Sequence, residues 1–261
     1  MTPLGIQPLV VMDWVDAQPL KKFLSKHITE SNVLNIIAEN FRKMVKDLHS
    51  CHFSHGDLQH GNIMVKHDYS LVLVDYDSMY VPDLKGMSDE IKGLAGYQHE
   101  ARWNNKNVSE KADYFSELII YTSLKALTKM PSLWKDLNME DTDTLLFSGE
   151  DIQSHGTSNI FRVLETDSEL SPLGEKLCEY IAKTSIDELS PLEEALISTG
   201  DSISAKWKMG NGYNHSSSNK IEDSRKITKK WVDGCGYIKP DKEKERKRLS
   251  LLISEKFKKK E

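Results

Sequence analysis

The sequence of 261 residues predicts an α+β fold that is mainly α, with two or three short strands ahead of a series of helices. Two observations predict it. Apolar runs of strand length stand near the front, at residues 9–12 (Leu-Val-Val-Met), 62–65 (Asn-Ile-Met-Val) and 71–74 (Leu-Val-Leu-Val). Apolar residues at three/four spacing then recur from residue 31 to residue 197. The first strand runs on through Asp13, Trp14 and Val15 and is broken by Asp16-Ala17-Gln18-Pro19. Leu20, Phe23 and Leu24 begin helical spacing. Val33, Ile36, Ile37, Phe41, Met44, Val45 and Leu48 make residues 31–49 a long amphipathic helix, with Ser31 or Asn32 as its N-cap. Residues 54–61 form a polar loop. The strands at 62–65 and 71–74 are joined by a hairpin turn over 67–70. Residues 75–96, with Pro82 and three glycines, are an unpatterned loop of the kind that usually carries function. Buried and amphipathic helices follow at 112–127, 159–164, 173–182 and 191–197.

Composition narrows the function classes. The net charge of −5 is uneven. Residues 239–261 carry ten basic against five acidic side chains, +5, which leaves −10 for residues 1–238. An acidic body argues against nucleic acid as the main partner. No apolar run approaches the roughly 18 residues of a membrane span, and residues 1–7 have no signal-peptide pattern. Cys51, Cys178 and Cys235 are far apart and suggest free thiols in a reducing, cytoplasmic setting. Gly, Ser and Asn cluster after residue 198. Three segments are therefore expected: a folded domain at 1–198, a flexible linker at 199–238 and a basic, helical tail at 239–261.

The stretch that carries chemistry is His55-Gly56-Asp57-Leu58-Gln59-His60-Gly61-Asn62, with Asp75 following on the far side of the hairpin. Phosphoryl transfer from a nucleotide needs a group that orients the attacking hydroxyl, oxygen ligands for magnesium, and compensation of phosphate charge. An Asp and an Asn in one tight loop, with a second Asp returned beside them by a hairpin, supply such a set. The three nearby histidines, His52, His55 and His60, lack a carboxylate or Cys that would complete a transition-metal site.

This pattern resembles the catalytic and metal-binding segment of the protein-kinase-like superfamily. His-x-Asp-x-x-x-x-Asn is matched at His55, Asp57 and Asn62, and the metal-loop Asp at Asp75, with Tyr76 and Asp77 in place of Phe and Gly. The resemblance implies a kinase-like large C-terminal lobe with a hinge strand and a short β-hairpin. It implies Asp57 as catalytic base, Asn62 and Asp75 as magnesium ligands, and His55 as structural support. Met12, Asp13 and Val15 fall at the hinge that holds adenine, and Met64 at the apolar floor beneath it. Asp113 falls at the start of the buried helix whose acid braces the catalytic loop. ATP and Mg2+ are the implied cofactors, and a protein Ser/Thr hydroxyl the implied acceptor.

The departures shape the expectation. The hinge begins nine residues from Met1, so the small lobe, with its Gly-rich loop and phosphate-binding Lys, is absent from the sequence. A separately encoded small lobe is then the implied partner. Gly56 replaces the Arg that many regulated kinases use to read a phosphorylated segment, which weakens Ser78, Tyr80 and Ser88 as regulatory sites. Asp77 in place of Gly is expected to stiffen the metal loop. Two rival readings stand beside the kinase. One is a pseudokinase-like scaffold with weak or no catalysis. The other is a small-molecule kinase, because His-Gly-Asp loops are frequent in aminoglycoside and choline phosphotransferases.

Overall fold

The computed structural model describes residues 14–199. Nearly all of them belong to one unit, Asp16–Gly210, whereas Trp14 and Val15 belong to another. The strand expected at 9–12, the tail, and all of the linker except residue 199 lie outside the described residues, as do Met12 and Asp13.

Among the described residues the sheet has three antiparallel strands, β1 (Ala17–Pro19), β2 (Ile63–Lys66) and β3 (Leu71–Leu73), in that spatial order. Ala17 lies opposite Lys66 and Pro19 opposite Met64. Ile63 lies opposite Leu73 and Val65 opposite Leu71. This corrects the reading of residues 16–19 as a break, since Ala17–Pro19 is a paired strand, while Trp14 and Val15 are in no strand. Proline is tolerated there because β1 is the edge strand among the described residues, and Pro19 ends it and opens the next helix. Ile63 and Val65 are buried, and Met64 and Lys66 are half-buried on the other face, as strand alternation requires. Asn62 closes a 3-10 turn, His60–Asn62, so β2 begins one residue later than the sequence pattern suggests. The β2–β3 turn is made by Tyr69 at φ +65° and by Asp68, whose Oδ1 accepts the Ser70 amide.

Helices α1 (Leu20–His27) and α2 (Ser31–Ser50) follow the expected spacing. Two details differ. Ser31 is the first helical residue and Glu30 precedes it, so neither Ser31 nor Asn32 is the cap. The buried stripe of α2 runs through Leu34, Ile37, Ala38, Phe41, Met44, Val45 and Leu48, which leaves Ile36 exposed. Leu34 and Ala38 complete a stripe that the larger side chains Val33 and Ile36 seemed to supply.

Helix α3 (Tyr114–Lys129) is buried along nearly its whole length and packs against α2. After it come α4 (Leu133–Asp136), α5 (Gly149–Gln153), α6 (Asn159–Glu165), α7 (Ser171–Ile181) and α8 (Leu192–Ser198); α7 and α8 pack against α3, and α6 against α7. The last three match the expected helices to within two residues. The short α4 and α5 have too few turns to show periodicity. The observed architecture is α+β and mainly helical, with one small sheet, and is consistent with a kinase-like C-lobe. Among the described residues no helix is long and apolar enough to cross a membrane.

Candidate active site

The polar loop at residues 54–62 is held from three sides. Asp113, at the N-terminal edge of α3, is buried. Its carboxylate takes the amides of His55 and of Gly56, the latter at 3.1 and 3.2 Å. Two amides on one buried carboxylate fix the backbone just before Asp57. On the second side, the His55 ring is fully buried and donates from Nε2 to the Val74 carbonyl at 2.9 Å. This ties the loop to the end of β3, and Nδ1 has no partner among the described residues. On the third side, Ser54 and Tyr80 exchange backbone hydrogen bonds at 3.2 and 2.9 Å.

Gly56 has φ +81°, and a Cβ there would stand 2.0 Å from the Ser78 carbonyl oxygen. An Arg at that position is excluded by the backbone itself, which gives a physical reason for this departure from the family pattern. Tyr80 is buried, so a phosphate on its hydroxyl would require the segment to open.

Asp57 and Asn62 form one unit. The Asn62 side-chain amide donates to the Asp57 carbonyl at 2.8 Å and to Asp57 Oδ2 at 3.1 Å. Asp57 Oδ1 accepts the Leu94 amide at 3.2 Å. Burial pushes the Asp57 carboxyl above its ordinary value, and these two hydrogen bonds pull it partly back.

The hairpin brings Asp75 round. Val74 donates its amide to the Asn62 carbonyl at 3.0 Å, one step beyond the Ile63–Leu73 pair. Asp75 is therefore the next residue after the one that touches Asn62. It is exposed and takes a left-handed conformation at φ +66°. The strained residue of this loop is Asp75 and not Asp77, so the expected stiffening by Asp77 does not arise; Asp77 has no left-handed conformation to resist.

The remaining predicted residues are placed as follows. Met64 is half-buried in β2, beside Pro19 and Val72 in the register. Val15 is described but lies in the other unit, and Met12 and Asp13 are outside the described residues. The three histidines separate. His52 faces Glu110 at the surface, His55 is on Val74, and His60 Nδ1 meets the Tyr97 hydroxyl at 2.6 Å. That hydroxyl also accepts the Leu145 amide, so it donates to a neutral His60. Burial and the Lys21 charge push His60 down to about 4.

Oxygen ligands for a hard cation are present. Asn62 Oδ1 and the Asp75 carboxylate have no hydrogen-bond partner among the described residues, while Asn62 is oriented through its amide nitrogen. Among the described residues no three His, Cys, Asp or Glu side chains gather into a metal cage. The donor set fits magnesium, which takes few protein oxygens and completes its shell with phosphate and water.

Sequence reasoning missed the residues that cover Asp57. Gly93 (φ +74°) leaves no room for a Cβ, which would stand 2.6 Å from Asp57 Oδ1 and 2.9 Å from Gln98 Nε2. Arg102 is almost completely buried behind this turn. Gly93 had a signal as one of the three loop glycines, but a buried Arg has none in one dimension.

Fold and loop together are consistent with a kinase-like C-lobe. Residues 4–92 match the family model of the ABC1 atypical kinase-like domain. The match takes in the loop of Asp57 and Asn62, the hairpin and Asp75, and it supports a protein-kinase-like superfamily assignment. Among curated proteins none matches the chain.

Proposed function

We propose that this chain supplies the catalytic lobe of an ATP- and Mg2+-dependent phosphotransferase that moves the γ-phosphate to a hydroxyl, with protein Ser or Thr as acceptor. The observation that carries the reading is the Asp57–Asn62 unit with Asp75 returned to it by the hairpin. The kinase-like family match over the same stretch supports it.

On this reading Asp57 accepts a hydrogen bond from the acceptor hydroxyl and orients it for in-line attack. Burial raises its basicity toward that role. Asn62 and Asp75 would hold magnesium through oxygen, and the ion would neutralise charge on the phosphate oxygens. Asn62 also keeps Asp57 in place through its amide nitrogen. Asp113 and His55 hold the loop so that little reorganisation is needed at reaction. On this reading Met64 lies under the base of ATP. A small lobe supplied by a partner would grip the phosphates on this reading.

Thermal unfolding with ATP, with and without Mg2+, tests this. ATP at about 100 times its dissociation constant stabilises by about 2.7 kcal/mol. At this size that is a rise of roughly 5–10 °C in Tm. The shift should need Mg2+ and vanish in Asp75→Asn. No shift in the wild type, or an equal shift in Asp75→Asn, refutes the reading.

A further inference from the structure

The segment over Asp57 is organised by a buried arginine outside the catalytic loop. Arg102 grips Asp89 with two nitrogens, Nε to Oδ2 at 3.3 Å and Nη2 to Oδ1 at 3.4 Å. Nη2 also donates to the Ile91 carbonyl at 3.2 Å, and Nη1 to Gln98 Oε1. Lys92 adds a second cation to Asp89 at 3.1 Å. The Arg102 side chain is 2% exposed and that of Asp89 5%. A guanidinium and a carboxylate this deeply buried are costly to desolvate, and their fork geometry accepts few alternative arrangements.

What the pair holds is the turn at residues 92–94. Asp89 and Ile91 are gripped before the turn, and Gln98 after it. Gln98 is also fixed to α3 through Ser116, with Nε2 to Oγ at 3.3 Å. With both ends anchored, Gly93 passes against Asp57 and Leu94 gives its amide to Asp57 Oδ1. The only backbone donor that the described residues offer to this carboxylate therefore depends on a side chain that never touches it.

We propose that Arg102 is a positioning residue for Asp57: through Asp89, Ile91 and Gln98 it clamps residues 92–94 so that the Leu94 amide orients the Asp57 carboxylate. The role in catalysis rests on the phosphotransfer reading above, but the clamp itself does not.

Amide hydrogen exchange on the full chain reads the clamp without turnover. Arg102→Lys keeps the charge and loses the fork. It should raise exchange of the Leu94 amide by about tenfold, the local stability that a lost charge-assisted hydrogen bond represents. The Val74 and Tyr80 amides, bonded to Asn62 and Ser54, should stay within about twofold. Asp89→Asn, which removes the pair with little change of shape, should reproduce the effect and serves if Arg102→Lys does not fold. Leu34→Ala, a core truncation in α2, is the control for lost global stability and should not single out Leu94. Unchanged Leu94 exchange in both clamp variants overturns the proposal. So does a rise shared equally with Val74 and Tyr80, or reproduced by Leu34→Ala. If ATP binding fails while Leu94 responds as stated, the phosphotransfer reading falls and the clamp stands.

Discussion

His49→Leu should be among the most damaging single changes in the domain, and its cost should depend on pH. His49, on α2, lies between two carboxylates, with Nε2 2.8 Å from Glu117 and Nδ1 2.9 Å from Glu193. Glu117 on α3 is fully buried, and its Oε2 has no partner among the described residues. Burial works against a charged His49, but Glu117 and Glu193 outweigh it and push the imidazole up to about 10. Burial pushes Glu117 up to about 7 against the pull of His49. Removing the imidazole leaves an uncompensated carboxylate in the core, at a cost of about 3–5 kcal/mol. For a domain of this size Tm at pH 8 should fall by roughly 6–20 °C. Near pH 5 the charged His49 keeps its full contribution, so the loss should be no smaller there than at pH 8, and it should fade only as pH climbs toward about 10. The partly exposed Glu193 adds little. The double variant His49→Leu/Glu117→Met removes both charges and should recover most of the loss. Differential scanning calorimetry at pH 5 and pH 8 on the three proteins is the assay. A pH 8 loss under about 1 kcal/mol, or a double variant less stable than the single, would refute the reasoning.

The wild type has a pH signature of its own. A raised His49 gives stability that is complete below about 6.5 and is lost as pH climbs through about 10, and a raised Glu117 gives a decline between its ordinary 4.5 and about 7. Tm should therefore fall from pH 6 to pH 9, and the slope should flatten in the double variant. Asp113→Ala orphans the His55 and Gly56 amides and should cost about 1–3 kcal/mol per amide left buried, with faster Gly56 exchange as the readout. Gly93→Ala forces a Cβ onto Asp57 at positive φ and should destabilise by roughly 1–3 kcal/mol. Gly86→Ala, at φ +88° in open space, should lose only the backbone part, about 1–2 kcal/mol. Leu34→Ala should cost about 2–5 kcal/mol and Ile36→Ala under about 0.5 kcal/mol, which checks by urea unfolding which face of α2 is buried.

Much of the architecture was legible because it is periodic. The α2 stripe, the β2–β3 hairpin and the apolar α3 each repeat a pattern over several residues. The edge strand Ala17–Pro19 was not legible, because three residues with a proline satisfy no strand pattern and are paired only through β2. The Asp57–Asn62 loop and the hairpin that returns the backbone to Asn62 just before Asp75 were readable because they lie close in sequence. The Asp89–Arg102 pair, the turn of Gly93 over Asp57 and the His49–Glu117–Glu193 cluster were not. Each joins residues distant in sequence, most of them charged and so suggestive of a surface position, and only the fold makes them partners. The match to the ABC1 atypical kinase-like domain ends at residue 92, so these features lie wholly or partly beyond it.

The central claim is that Asn62 and Asp75 hold the metal that accompanies ATP. Paramagnetic broadening by Mn2+, added at low ratio with ATP to the isotope-labelled chain, tests it most directly. The Asn62 side-chain amide and the backbone amides of Asp75 and Asp57 should broaden first, and amides of α8 should not. In Asp75→Asn the broadening should largely disappear. Broadening centred elsewhere, or unchanged in Asp75→Asn, would contradict the account.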